Sequence, residues 1–113
     1  MPINYRELYE SADQACELLK VLANSDRLML VCQLTSGELC VSDLEYHTGI
    51  QQPTLSQQLG VLREANIVNT RREGKHIFYK LNSSEAMAVI QTLQEQFCQE
   101  TLHCAPNPMN SLE

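Results

Sequence analysis

The chain has 113 residues, 43% of them hydrophobic, and a formal net charge of −6. That length suits one domain with a modest core, no window approaches the roughly 20 apolar residues of a membrane span, and the N-terminal stretch has no signal-like apolar run, so a cytoplasmic protein is expected. Five cysteines, an odd number for a reducing compartment, argue against a disulfide framework and leave buried apolar groups, metal ligands or redox thiols.

Residues 5–23 read as one amphipathic helix, with Leu8, Ala12, Ala15, Leu18, Leu19 and Leu22 in a stripe. Cys16 sits beside that stripe and is expected to be a small buried apolar group. Asn24, Ser25 and Asp26 are good helix caps ahead of the apolar run 28–34, expected as the buried centre with Cys32 in the core; Ser36 and Gly37 end it. A third helix opens near Cys40, either with Cys40 as N-cap or with Ser42 as cap paired to Glu45. In both cases Cys40 lies at a helix N-terminus, whose partial positive charge favours thiolate, while Glu38 and Asp43 oppose it.

The stretch 41–65 reads as two short helices about a turn at Thr48, Gly49 and Ile50. The second helix, expected to start at Gln52 and Pro53 and to end near Ala65 and Asn66, carries Leu55, Leu59 and Leu62 on one side. Gln52, Thr54, Ser56, Gln57 and Gln58 supply polar groups; glutamine can pair with adenine, and hydroxyls can bond bases or phosphates. A helix-turn-helix reading DNA is the expectation. Two strands, 67–72 and 76–81, flank Glu73, Gly74 and Lys75 as a hairpin within a wing over 67–82, and Arg71, Arg72 and Lys75 at its tip would touch the DNA backbone or minor groove. Five cations and two anions lie in 51–80, so that stretch is +3 and the remainder −9, a basic face on an acidic body.

A fifth helix over 84–103, started at Ser83 or Ser84, has Ala86, Ile90, Leu93 and Phe97 on one face. It and the first helix hold more apolar surface than one small domain needs, so they are expected to pair across a two-fold axis, giving a homodimer on an inverted-repeat duplex operator. Residues 105–113 are expected to be a flexible tail. With no Ser/His/Asp set, phosphate loop or paired histidines on a helix, no enzyme is expected.

The fold class expected is therefore mainly α (α+β), a winged helix-turn-helix. The segments LANSDRL (22–28), GELCVSDL (37–44), QPTLSQQL (52–59), LREANIV (62–68) and RREGKHIFYKL (71–81) closely resemble the ArsR/SmtB family of bacterial winged-helix repressors. The resemblance spans about 18–97. It implies a dimer that represses an operator in its apo or reduced state and lets go when an inducer binds.

Sensing residues follow from the same resemblance. The arsenic and cadmium/lead sensors look like ELCVCDL, whereas Ser42 stands here where the second thiol would be, and hydroxyl is a poor ligand for soft ions. The zinc sensors use Asp and His on the fifth helix, and 83–99 contains neither. The chain is similar instead to the persulfide-sensing BigR/SqrR-like branch, which implies a redox pair, Cys40 with Cys104, and a persulfide or polysulfide inducer with no cofactor. Cys98 is the competing partner on the fifth helix. The alternative is a metal or metalloid site from Cys40, Cys98, His103 and Cys104.

Overall fold

The computed structural model describes residues 4–98. Its helices are α1 (Tyr5–Glu10), α2 (Ala12–Leu22), α3 (Ser25–Gln33), α4 (Val41–Thr48), α5 (Thr54–Glu64) and α6 (Ser84–Phe97). Its strands are β1 (Leu39–Cys40), β2 (Val68–Glu73) and β3 (His76–Leu81), antiparallel in the order β1-β3-β2. This is the winged helix-turn-helix expected, with differences that bear on the site.

The first helix is two. Ser11 breaks it at φ −97°, ψ 4°, although its N–H still bonds Glu7 O at 3.0 Å. The apolar stripe continues through the break, so periodicity alone does not reveal it. Strand β1 was expected as the opening of a helix; two residues are too few to show alternation, and pairing with β3 alone makes them a strand. Helix α5 starts at Thr54, after Gln52 and Pro53. Asn24 caps α3, its side chain accepting from Arg27 N–H at 3.0 Å, and Ser83 caps α6 by accepting from Ala86 N–H at 3.0 Å. Gly49 ends α4 in the left-handed region, φ 75°, which lets the chain turn sharply into α5. Asn66, just past α5, is also left-handed, φ 61°.

Helix α3 lies at the centre, packed on α2, α4, α5 and α6. Leu30 and Val31 are fully buried there, and Leu55, Leu59 and Leu62 seat α5 against it. At about 1.5–3 kcal/mol each, those three leucines fix α5 by roughly 5–9 kcal/mol of apolar transfer. Cys32 is only half-buried at the edge of this core, and Cys16, expected inside, is exposed. Tyr5, Leu8, Tyr9, Leu19 and Phe97 are all more than half exposed, on α1, α2 and the end of α6. No helix among the described residues is long and apolar enough to cross a membrane.

Candidate DNA-binding face and sensing thiols

The polar groups of α5 divide by what already holds them. Ser56 and Gln57 are exposed and Thr54 is half-buried. Gln52 lies before the helix, and its Oε1 accepts from Ser56 N–H at 3.1 Å, serving as a cap that the preceding Pro53 does not provide. Gln58 is half-buried on the flank towards α3. Its Oε1 accepts from Arg27 Nη1 at 2.8 Å, while Arg27 Nε and Nη2 donate to Val21 O and Lys20 O at 2.6 and 3.4 Å. Arg27 thus ties the carbonyl end of α2 to α5. Pairing with adenine needs both ends of a glutamine amide. With Oε1 engaged, Gln52 and Gln58 keep only donors to offer, and Gln57 is the glutamine of this group whose side chain makes no internal bond among the described residues. The sequence shows which residues are amides and cannot show which have partners.

In the hairpin, directly opposed residues share a face. Val68, Thr70 and Arg72 share one with Leu81, Tyr79 and Ile77, the core side. Arg71 and Glu73 share the outer side with Phe78 and His76, and Cys40 joins it because it opposes Phe78. Arg71 and Arg72 therefore point to opposite sides. Arg72 is exposed at the tip beside Lys75, which follows Gly74 at φ 63°. Neither Arg72 nor Lys75 makes an ion pair among the described residues. Arg71 makes two. It donates twice to Glu38, at 2.8 and 3.1 Å, and pairs with Glu73 at 3.3 Å, with its guanidinium 4.7 Å from the Phe78 ring centroid. The hydrogen bonds from Arg71 hold the Glu38 carboxyl below its ordinary value, and the same bonds push Arg71 further up.

Cys40 is the N-cap of α4, the first of the two placements open in the sequence, yet its sulfur makes no backbone cap bond. It donates to Asp43 Oδ2 at 3.2 Å and lies 3.2 Å from Ser42 Oγ. Cys104 and His103 lie outside the described residues. Cys16, Cys40 and Cys98 are free thiols, and Cys32 is disulfide-bonded. Between α3 and α6 lies an apolar-walled recess of about 270 Å³, and both Cys32 and Cys98 line it, with Leu28, Leu93 and Phe97 among its walls. Gln94, 4% exposed, donates from Nε2 to Cys32 Sγ at 3.2 Å inside this otherwise apolar wall. Neither Cys32 as a site residue nor Gln94 was singled out from sequence. The available signal was an amide at helical spacing from the apolar residues of α6. No cluster of three or more His, Cys, Asp or Glu that could hold a metal occurs among the described residues.

Comparison with known proteins agrees with this geometry. Residues 24–70 match the model of the bacterial regulatory proteins of the arsR family. A biofilm growth-associated repressor of Agrobacterium fabrum is 55% identical over 87 residues, 77% of this chain and 74% of that protein. The crystal structure of the transcriptional repressor BigR from Xylella fastidiosa superposes with a TM-score of 0.83 at 47% identity, covering 87% of this chain and all of that one. A structure of reduced HlyU from Vibrio cholerae does so with a TM-score of 0.78 at 39% identity, covering 83% and 99%. The chain is therefore a BigR-like member of the arsR family of bacterial regulatory proteins.

Proposed function

We propose that the protein is a transcriptional repressor that binds an inverted-repeat operator as a homodimer and releases it when a persulfide or polysulfide bridges two cysteines. Ser56, Gln57 and Thr54 face the major groove, Gln52 and Gln58 assist through their amide donors, and Arg72 and Lys75 contact phosphate. The exposed apolar residues of α1, α2 and α6 form the dimer surface. The relatives named as repressors support the direction of control.

One observation carries the sensing reading: Cys32 of α3 is disulfide-bonded, while Cys16, Cys40 and Cys98 are free thiols. Sequence pointed to Cys40 with Cys104. We move the inner sulfur to Cys32, because Cys32 is already engaged in a disulfide, whereas Cys40 is a free thiol whose neighbour Asp43 would repel an anionic persulfide; we keep Cys104 as the outer sulfur, because its competitor Cys98 is also a free thiol. The chemistry balances in two steps. One cysteine thiolate takes the outer sulfur of a persulfide RSSH, releasing RSH. The second cysteine displaces hydrogen sulfide from the resulting Cys–S–SH, leaving a disulfide. If both cysteines are first persulfidated, loss of one hydrogen sulfide leaves a three-sulfur bridge, with about 2 Å of extra reach. Either bridge ties the segment that follows α6 in sequence to α3, on which α4 and α5 rest. A coupling of about 1–3 kcal/mol, the usual allosteric range, would lower operator affinity roughly 5- to 150-fold.

Mass spectrometry of the protein treated with an organic persulfide decides among the pairs. A linked peptide containing Cys32 and Cys104 supports the reading. A Cys40–Cys104 link restores the pair expected from sequence, and a Cys32–Cys98 link keeps the inner sulfur and replaces the outer one. Full inducibility in Cys32→Ser would end the proposal that this recess senses anything.

A further inference from the structure

The wing brings two cations side by side in sequence and then treats them differently. Arg72 and Lys75 have no anionic partner among the described residues, while Arg71 is held by two carboxylates from two different segments. Glu38 precedes β1 and reaches Arg71 across the β3 strand, over the ring of Phe78. The contact is two-pronged, the geometry in which guanidinium binds a phosphate equally well. We infer that Glu38 is an internal competitor of DNA phosphate for Arg71, so that the wing meets DNA through Arg72 and Lys75 and Glu38 sets an upper limit on operator affinity.

The charge count on this outer face agrees. Arg71 and Lys80 are matched there by Glu38 and Glu73, so the face offers DNA no net positive charge, even though the surrounding stretch is basic. Each phosphate newly neutralised by a protein cation steepens the salt dependence of binding by about one unit of slope. Releasing Arg71 should therefore be visible as a slope, separately from any general change in net charge.

The inference rests on the operator-binding reading. The test uses the full chain and a fluorescein-labelled mixed-sequence duplex of roughly 30 base pairs, long enough for a dimer spanning successive turns, titrated across a salt series. Four proteins are compared: wild type, Glu38→Gln, Arg71→Ala and the double variant. Glu38→Gln should bind more tightly, with a slope steeper by up to about one unit. Arg71→Ala alone should leave the slope near that of wild type, and in the double variant the gain should vanish. A wild-type slope lowered by about one unit in Arg71→Ala would mean that Arg71 already touches phosphate, and would overturn the inference. An unchanged slope in Glu38→Gln, or a gain that survives in the double variant, would overturn it too. Wild-type protein with no salt-dependent DNA binding removes the operator reading and this one with it, an outcome distinct from the other two.

Discussion

The DNA-binding face and the α3–α6 recess use polar side chains in opposite ways. On the candidate face, water is close, and Gln52, Gln58 and Arg71 nevertheless make hydrogen bonds within their own chain, which leaves them fewer free polar atoms than their residue types suggest. In the recess a single buried amide, Gln94, acts on one sulfur amid apolar walls. The first arrangement restricts rotamers in advance, which lowers the entropic cost of binding. The second changes the local electrostatics of a reactive atom, where low dielectric makes one hydrogen bond count for more. What joins the two regions is α3, packed against both.

The strongest way to break the contrast is to unseat α5. Leu59 is 1% exposed on the core side of that helix. Leu59→Ala should destabilise the protein by about 2–5 kcal/mol in urea unfolding, from lost transfer energy plus a cavity. Operator binding and the proposed response to persulfide should then fail together, because both readings need α3 and α5 docked. A smaller, local effect is expected at Arg27, half-buried between α2 and α5. Arg27→Met should cost about 1.5–3 kcal/mol, the range for bonds made by a charged donor. A double-mutant cycle with Gln58→Ala should show coupling, since each partner's removal leaves nothing for the other to lose at that bond. Independent, additive losses would mean that Arg27 holds only the α2 carbonyls.

That contrast also explains what could be read in advance. The helix-turn-helix, the wing and the α3 centre were legible because leucines at helical spacing and alternation in 76–81 report burial directly. The break at Ser11 was not, since a stripe can run through an interrupted helix. Strand β1 was not, since two residues carry no period. Among the proposed site residues, Ser56, Gln57, Arg72 and Lys75 are exposed and Thr54 is half-buried. Gln58 and Arg71 were grouped with them by residue type, and only tertiary partners 31 and 33 positions away in sequence separate them. Cys32 looked like core because its neighbours are apolar; that it borders a recess shared with Cys98 depends on how α6 returns across α3.

The recess can be sharpened through Gln94. A donor aimed at a sulfur favours the charged form of that sulfur. In reduced protein whose other cysteines are serine, Gln94→Leu should slow alkylation of Cys32 at neutral pH several-fold, because the donor at 3.2 Å is lost. Circular dichroism should show the helices intact. Unchanged alkylation with an intact fold would reduce Gln94 to a packing group and remove the electrostatic half of the contrast.

The smallest expected effect lies on the exposed side. Glu38 is ionised in its pair with Arg71, and its carboxyl is held below the ordinary value of 4.5, first by the hydrogen bonds from Arg71 and then by the charges of Arg71 and Lys80. A carboxyl whose folded value is depressed stabilises the folded state fully above its unfolded value. That contribution disappears as pH falls through the lower, folded value. Arg71 keeps its proton throughout, so Glu38 alone titrates in the pair. The window is therefore acidic, below about 4.5, and around neutral pH the pair should be insensitive to pH. Because both side chains are exposed, the change in stability should be slight, and the cleaner readout is the carboxyl itself. Carbon-13 chemical shifts of the Glu38 side chain should titrate with a midpoint below 4.5 in wild type and move back towards it in Arg71→Ala. A midpoint indifferent to Arg71 would mean the two-pronged contact does not persist in solution, and Arg71 would then rejoin Arg72 and Lys75 as a cation open to DNA.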